Sequence, residues 1–451
     1  MLITWISRRT PALLFHGWTL LGLWAIAPAC GTTRAAQEGA DKFAPLFNGT
    51  DLSGWRNVNC SPSTWAVRDG MIVCSGKPTG VLRTEKMYEN FVLELEYRHL
   101  QKGGNAGLFI WSDALTAKGQ PFTRSIEVQV MDGVETPNYT SDGDIFAIHG
   151  ARMRPDRPHP AGWERCLPSE KRAKPAPQWN HYRVTCLDGT IKLAVNGKEV
   201  SGGSEVTPRK GYICLEAEGS EVHFRNLKIQ ELPATVPVLP ASLVAEADLG
   251  FRVLFDGTLT AFKEDSGKEG HWTPRDWVLA YDGKGGDLWT KEEFADFELI
   301  ADWRWAGKSQ GKMKRPVIAP DGSVARNPDG TNKEEEVEEY DSGIFLRGNS
   351  KSQVNMWNWS VGSGEVYGYR TDGSMPPAVR AAVTPKERAD APVGQWNRFK
   401  IRMQGETLNV WLNGKHVIVD AALPGVAARG PIGLQHHGSA LEFANLYIRQ
   451  L

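Results

Sequence analysis

The feature that most constrains the fold of this chain is an internal repeat that fills most of its 451 residues. Six segments of the first half recur in the second half in the same order. The matched pairs are LFNGTDLSGW (46–55) with LFDGTLTAFK (254–263), ENFVLELEYR (89–98) with ADFELIADWR (295–304), NAGLFIW (105–111) with DSGIFLR (341–347), QWNHYRV (178–184) with QWNRFKI (395–401), LAVNGKEV (193–200) with VWLNGKHV (410–417), and VHFRNLKI (222–229) with LEFANLYI (441–448). Six matches in one order are typical of a tandem duplication in which each copy forms a domain.

The repeat predicts where the domains begin and end. The first domain is expected over residues 43–232 and the second over residues 251–451. The segment between them, 233–250, contains Pro233, Pro237 and Pro240, which predicts a semi-rigid linker. The later part of this linker is compatible with a short helix.

Residues 1–36 have the pattern of a targeting segment. Arg8 and Arg9 precede an apolar run, 12–27, that is too short for a convincing membrane span. Small residues follow, and two cleavage reactions fit them: signal peptidase near Ala35, or lipoprotein processing that leaves a lipid anchor on Cys30. Both reactions predict export, to the periplasm or to the cell surface.

The pattern within each copy is that of antiparallel β-structure. In FVLELEY (91–97) one face of a strand carries Phe, Leu, Leu and Tyr, and the other carries Val and two Glu. Asn196-Gly197 and Asn413-Gly414 are typical of type I′ hairpin turns, in which both central residues need a positive φ. The predicted fold class is all-β: two tandem β-sandwiches joined by the proline-containing linker, each with a concave sheet face left open.

Five cysteines follow Cys30, and an odd number predicts at least one free thiol. Cys60 and Cys74 are spaced so that a disulfide between them closes a hairpin. Cys186 and Cys214 lie in strand-like runs, where cysteine commonly serves as a buried apolar residue. The sequence alone therefore assigns no disulfide.

Charge excludes one class of partner. The chain has 52 Lys+Arg and 53 Asp+Glu, a formal net charge of -1. A nucleic-acid partner needs a basic surface to hold its phosphates, so none is expected. The 17 Trp fit either sandwich cores or flat platforms that stack on sugar rings.

Several of these segments together resemble one known family. FNGTDLSGW (47–55), NAGLFIW (105–111), SIEVQVMD (125–132), the Trp179-Asn180 pair and the NG hairpin before FRNLKI (224–229) resemble the 3-keto-disaccharide hydrolase domain family, once per copy. The resemblance implies concanavalin A-like jelly-roll sandwiches, a carbohydrate substrate, and activity on glycosides already oxidised at carbon 3. The second copy departs from the pattern, because LFDGTLTAF lacks the DLSGW ending.

A ketone at carbon 3 acidifies the proton on carbon 2, so elimination of the leaving group at carbon 1 followed by hydration amounts to hydrolysis. Such a site needs a base, an acid for the leaving oxygen, and a positive or hydrogen-donating group at the ketone oxygen. A divalent cation is one group able to fill the last role. The alternatives are a non-catalytic, lectin-like carbohydrate-binding protein and a structural adhesion module.

In the first copy, the strand-like segment 125–132 supplies the leading candidate. Because side chains alternate along a strand, Ile126, Val128 and Val130 are expected to face the core. Glu127 and Gln129 are then expected on the open face. Glu127 is predicted to work in proton transfer or metal binding with Gln129 beside it. The alternative is an ordinary solvated sheet face.

The segment 142–172 after this strand predicts a loop rich in functional groups. His149 is the leading acid/base candidate, because its pKa suits neutral pH; the alternative is a structural histidine. Arg152, Trp163 and Arg165 are predicted to contact substrate, although arginines here serve equally to brace the loop. Arg124, just before the strand, is placed to reach the ketone oxygen.

In the second copy, the aligned strand carries Gln353, Asn355 and Trp357, which keeps the polarity without the carboxylate. Asn355, Trp357 and Trp359 therefore predict a binding site, with aromatic residues suited either to sugar stacking or to the core. The second copy also gains a polar insert near 307–339, whose acidic end predicts a solvated loop. Trp179 and Trp396 occupy matching positions and are expected in the shared core.

Overall fold

The computed structural model describes residues 43–133, 142–267 and 270–451, and antiparallel strands dominate this part of the chain. The proposed targeting segment 1–36, with Cys30, lies outside the described residues. Across the described ranges, none of the helices is both long enough and apolar enough to span a membrane.

The strands of the first copy show two patterns of burial. Its described strands are β1 Ala44–Pro45, β2 Trp55–Asn57, β3 Trp65–Arg68, β4 Met71–Cys74, β5 Gly80–Thr84, β6 Phe91–His99, β7 Asn105–Ser112, β8 Ser125–Met131, β9 Ile145–Ile148, β10 Arg152–Pro155, β11 Arg165–Cys166, β12 Asn180–Leu187, β13 Thr190–Val195, β14 Lys198–Thr207, β15 Tyr212–Ala217 and β16 Val222–Glu231. Strands such as β6, β12 and β13 mostly alternate buried and less buried residues, and strands such as β5, β7, β8 and β15 are buried along nearly their whole length.

These strands form two sheets that face each other. Sheet 1A has the order β10-β14-β13-β12-β6-β16-β4-β3, with β1 added beside β16, and sheet 1B has the order β11-β9-β8-β7-β15-β5-β2. Apolar side chains from both sheets form one core, which includes Leu93 and Tyr182 of sheet 1A and Val128 and Leu215 of sheet 1B. The outer face of sheet 1B, turned away from this core, carries the polar side chains considered below.

The second copy repeats this plan after a proline-rich connection that contains a 3₁₀ turn, Ala241–Leu243. Its described strands and helices are β17 Arg252–Val253, β18 Trp272–Arg275, β19 Val278–Tyr281, β20 Leu288–Phe294, β21 Phe297–Trp305, β22 Lys312–Pro316, β23 Glu334–Glu338, β24 Asp341–Leu346, β25 Asn349–Trp357, α1 Tyr367–Arg370, α2 Pro377–Ala382, β26 Asn397–Gln404, β27 Thr407–Leu412, β28 Lys415–Ala422, β29 Gly430–Leu434 and β30 Leu441–Gln450.

Sheet 2A has the order β18-β19-β30-β21-β26-β27-β28, with β17 beside β30, and sheet 2B has the order β20-β29-β24-β25. A second apolar core lies between them. The predicted all-β fold with two tandem sandwiches of the jelly-roll class is thereby confirmed. The hairpin prediction is confirmed too, since Asn196, Gly197, Asn413 and Gly414 all have positive φ.

Two smaller predictions are wrong, the first only in part. The polar insert is solvated at Glu334, Glu336 and Glu338 but is not a loop: β22 and β23 pair as an antiparallel hairpin, and Glu339 at its end is buried in a two-bond ion pair with Arg315. Trp179 and Trp396 are not core residues: both are half-buried at the surface, where arginine side chains cover their rings. In these positions the cation–π contact replaces the expected apolar packing.

The cysteines of the described residues are buried free thiols. Cys60 and Cys74 thus form no disulfide across their hairpin. Burial raises the pKa of Cys60 to about 12, and Trp65 donates a hydrogen bond to its sulfur over 3.1 Å. Of the two alternatives for the cysteines, the structure shows the buried apolar one.

The two copies and their linker pack into one compact unit, Phe43–Leu451. A segment of the first copy between β7 and β8, residues 113–124, lies on the outer face of sheet 2A; we call it the docking loop. Its Gly119 N–H donates to Asp302 over 2.7 Å, and Thr116 hydrogen-bonds Tyr447 over 2.7 Å. Beside these contacts, Phe109 and Cys214 from the outer face of sheet 1B share an apolar cluster with Phe251 and Tyr447. The second copy therefore supports one side of that face.

Candidate functional site

Strand β8 places Glu127 and Gln129 on the outer face of sheet 1B, as the alternation predicts. Ile126, Val128 and Val130 are in the core. Glu127 is 6% exposed and Gln129 is 1% exposed, so this part of the face is not a solvated surface. Burial of a carboxylate without a dedicated charge partner is costly, and such groups are common in functional sites.

The two neighbouring strands bring a second carboxyl group beside Glu127. In the register of sheet 1B, Gly107 of β7 lies opposite Gln129, and β15 on the other side places Glu216 next to Gly107. A Cβ added at Gly107 would lie 2.6 Å from Glu216 Oε2 and 3.0 Å from Glu127 Oε1. The glycine therefore leaves the space in which the two carboxyl groups approach each other.

A third carboxyl group lies at the more open edge of this arrangement. Glu218 follows β15, is half-buried, and accepts a hydrogen bond from Asn105 Nδ2. Asn105 Oδ1 in turn accepts a hydrogen bond from Gln129 Nε2 over 2.7 Å. We call Glu127, Glu216 and Glu218 the carboxyl triad.

Burial raises the pKa of all three carboxyl groups, and repulsion adds to the rise for Glu127 and Glu216. Burial raises the pKa of Glu218 to about 7. For Glu127 and Glu216, burial raises the pKa well above the ordinary value, and the charge of Glu218 raises it further. A cluster of this kind holds protonated and ionised carboxyl groups side by side near neutral pH.

The environments of Glu127 and Glu216 differ. The cation Arg165 opposes the rise in the pKa of Glu127, whereas the charges that act on Glu216 are the carboxylates of Glu127 and Glu218. Glu216 Oε2 is also buried without a hydrogen-bond partner among the described residues. Ionisation is therefore easier for Glu127 than for Glu216.

Two other predicted residues, Arg165 and His149, lie near the triad or at its end of the sheet. Arg165 of β11 is buried with its guanidinium 3.9 Å from the ring centre of Phe146 and 3.5 Å from Asp144. Phe146 lies directly opposite Glu127 in the register of β8 and β9. His149 follows β9 with a positive φ, stacks on Phe122, and has its pKa lowered by burial. Its proposed acid/base role stays a prediction.

The remaining predicted residues of the first copy have partners outside the triad. Arg124 makes a two-bond ion pair with Asp113, both contacts being 2.8 Å. Arg152 is exposed and contacts Glu164 over 2.6 Å. Trp163 is 43% exposed and stacks on His159 with ring centres 4.5 Å apart. Their contact with substrate also stays a prediction, and the first of them braces the docking loop.

Sequence reasoning missed Asn105, Glu216 and Glu218. The signal was present: in ICLEAEG (213–219) the alternation puts Glu216 and Glu218 on one face. In the second copy the matching residues are Gln435 and His437, which parallels the change from Glu127 to Gln353. Comparing the two copies position by position therefore singles out the triad.

The corresponding face of the second copy has amides in place of the carboxyl pair. Gln353 donates from Nε2 to Gln435 Oε1 over 2.7 Å, and Asp341 lies 3.2 Å from His437. Asn355, a predicted binding residue, is buried beside them with Oδ1 unpartnered among the described residues.

Trp357 and Trp359, the other predicted binding residues here, are buried and stack on each other with ring centres 4.1 Å apart. The guanidinium of Arg315 lies 5.0 Å from the ring centre of Trp359, which leaves these two rings little free area. Their proposed contact with sugar stays a prediction.

Among the described ranges, no group of three or more His, Cys, Asp or Glu side chains has an arrangement suited to holding a metal ion.

Comparison with known proteins places this chain in a family. The family model of the 3-keto-alpha-glucoside-1,2-lyase-like domain matches residues 42–230 and again residues 250–449. A 3-keto-disaccharide hydrolase from Bacteroides thetaiotaomicron is 23% identical over 237 residues, which cover 43% of this chain and 79% of the relative.

Solved structures also resemble parts of the chain. One from Parabacteroides distasonis is 23% identical, covers 42% of this chain and 94% of its own, and has a TM-score of 0.33. A carbohydrate binding module from Bacillus subtilis is 13% identical, covers 40% of this chain and 98% of its own, and has a TM-score of 0.29.

Proposed function

The chain belongs to the 3-keto-alpha-glucoside-1,2-lyase-like domain family, and we propose that its first copy cleaves the glycosidic bond of 3-keto-glycosides by elimination and hydration. The observation that carries this proposal is the approach of Glu127 and Glu216 over Gly107. The pKa values of both groups are raised, but a cation, Arg165, opposes the rise only for Glu127. The reaction needs one ionised and one protonated group in the same place, and we assign these two roles to this pair.

We assign the base to Glu127. Its ionised form is favoured by Arg165, and it removes the proton from carbon 2 as the C1–C2 double bond forms. Negative charge then develops on the ketone oxygen at carbon 3. Arg165 is the positively charged group on this side of the triad, so we assign it to stabilise that charge.

We assign the acid to Glu216, whose surroundings favour the neutral form. It donates its proton to the leaving oxygen as the bond from that oxygen to carbon 1 breaks. Water then adds to carbon 1 of the enone and gives a proton to Glu216, while Glu127 returns a proton to carbon 2. The products are a free 3-keto sugar and the released alcohol, and both carboxyl groups are restored.

The experiment that tests this mechanism is turnover of 3-keto-lactose and 3-keto-trehalose in deuterium oxide, with products examined at early times by mass spectrometry and NMR. We expect release of a monosaccharide and one deuterium at carbon 2 of the keto product, because the proton passes through an exchangeable carboxyl group. Direct hydrolysis by two flanking carboxylates leaves the carbon 2 proton in place. Monosaccharide release without deuterium would therefore refute the elimination, and no release from either substrate would refute the activity.

A pH prediction follows from Glu218. Its negative charge raises the pKa of both Glu127 and Glu216. In Glu218→Gln that charge is absent, so we expect both limbs of the pH profile of kcat/KM to move to lower pH. Glu221→Gln is the matched control: Glu221 pairs with the nearby His223 and is expected to leave both limbs in place. An unchanged profile in Glu218→Gln, or a shift to higher pH, would contradict the coupling within the triad.

A further inference from the structure

The second copy keeps the architecture of the triad but changes its chemistry. Gly343 of β24 again opens the sheet, since an added Cβ would overlap the side chain of Gln353. Gln353 and Gln435 take the positions of Glu127 and Glu216 and hydrogen-bond each other. A neutral amide has no proton to give or take in this pH range, but it offers both a donor and an acceptor.

An aromatic platform lies beside these amides. Trp289 of β20 lies over Gly433, where an added Cβ would be 2.6 Å from Cζ3 of the indole. The Trp289 ring stacks on Phe345 with ring centres 5.3 Å apart and an interplanar angle of 11°. The side chain is half-buried, so part of it remains open to solvent. Arg83 is the matching residue of the first copy, which makes the platform particular to the second.

Polar groups next to the platform are able to hydrogen-bond a ligand. Asn355 is 4% exposed, and its Oδ1 is a buried acceptor without a partner among the described residues. The Asp341–His437 pair stands at the edge, with His437 about half exposed. An apolar ring face beside convergent donors and acceptors is the combination that binds a pyranose ring.

We propose that the outer face of sheet 2B, formed by Trp289, Gln353, Asn355, Gln435 and the Asp341–His437 pair, binds the pyranose ring of a neutral glycoside without cleaving it. The choice of a glycoside as ligand rests on the proposed function of the first copy. Because the outer face of sheet 2B lacks the pair of glutamates, it binds a sugar without cleaving it, whereas the first copy cleaves. The chain therefore holds one sugar unit in the second copy while the first copy cleaves another.

The test uses the full chain carrying Glu127→Gln and Glu216→Gln, titrated with lactose and with trehalose by calorimetry and tryptophan fluorescence. We expect saturable binding of at least one sugar, weakened tenfold or more by added Trp289→Ala and also by added Gln435→Ala. The matched control is Trp411→Ala, a half-buried tryptophan on the opposite sheet that stacks on His416. It is expected to leave the affinity unchanged. Thermal unfolding of each variant separates lost binding from lost folding.

Three outcomes would overturn this inference: no binding of either sugar, binding that both site variants leave unchanged, or turnover of 3-keto-lactose that persists in the doubly substituted chain and disappears with His437→Ala. Failure of the proposed function has a different signature. In that case the unsubstituted chain releases no monosaccharide from 3-keto-lactose, whereas sugar binding sensitive to Trp289→Ala is still observed.

Discussion

Glu127→Gln is expected to lower kcat for a 3-keto-glycoside by about 10³-fold, the size of effect that loss of a positioned base produces. The amide has nearly the shape of the carboxyl group but cannot accept the carbon 2 proton. Because substrate contacts are largely kept, KM is expected to change far less than kcat. Steady-state and single-turnover kinetics with 3-keto-lactose measure both effects.

The folded state should tolerate this substitution. Burial and the charge of Glu218 make the ionised form of Glu127 unfavourable, and a neutral amide removes that cost. The second copy itself has Gln353 at the matching position, over the matching glycine. We therefore expect a melting temperature equal to or above that of the unsubstituted chain, so a loss of activity cannot be ascribed to unfolding.

Glu199→Gln is the matched control, because Glu199 is an exposed glutamate of the same copy on β14. Its turnover is expected to equal that of the unsubstituted chain. If Glu127→Gln retains turnover within threefold of this control, Glu127 is not the base. The sequence predicts two acid/base candidates, Glu127 and His149. If Glu127→Gln retains turnover, we expect His149→Ala to be the substitution that lowers it.

The fold class could be predicted from the sequence because two features of the sequence agree. The repeat marks equivalent strands, and the alternation in segments such as 125–132 assigns each side chain to one face. The same alternation correctly placed Glu127 and Gln129 on the outer face. Nothing beyond periodicity was needed for this step.

The rest of the candidate site depends on which strands become neighbours. Glu216 meets Glu127 only because β15 pairs with β7, and that pairing joins segments about a hundred residues apart. Partner choice likewise decides what charged residues do: Arg124 is held by Asp113, and Trp179 is covered by arginines. Such tertiary contacts leave no local pattern. The sequence therefore shows that Glu216 lies on one face of its strand, and that Arg124 and Trp179 are candidates for a role, but not which residues they meet.

The contact between the copies also depends on tertiary pairing, and one buried carboxylate, Asp302, accepts hydrogen bonds from both copies. Asp302 is fully buried and makes a two-bond ion pair with Arg398, with contacts of 2.6 and 2.8 Å. It also accepts hydrogen bonds from Gly119 N–H of the docking loop over 2.7 Å and from Asn445 Nδ2 over 2.8 Å. Arg398 in turn donates to the carbonyl of Thr116. The Asp302 side chain thus hydrogen-bonds groups of both copies.

Asp302→Ala is expected to lower the free energy of unfolding by about 3 kcal/mol, since it leaves a charged partner and two donors unsatisfied. We place the loss near the lower end for a broken buried ion pair because the Arg398 side chain is still 26% exposed. Urea unfolding followed by tryptophan fluorescence measures the change. In the unsubstituted chain, we expect loss of turnover to coincide with the fluorescence transition, because the copies unfold together.

The cause of the lower unfolding free energy in Asp302→Ala is tested by adding Arg398→Met. If the penalty comes from an uncompensated charge, removing the charge restores part of the stability, and the double variant is more stable than the single one. Asp265→Ala, which removes an exposed aspartate of the same copy, is expected to change the unfolding free energy by less than about 0.5 kcal/mol. A loss in Asp302→Ala no larger than in this control, or two separate transitions in the unsubstituted chain, would show that the copies are joined only by their linker.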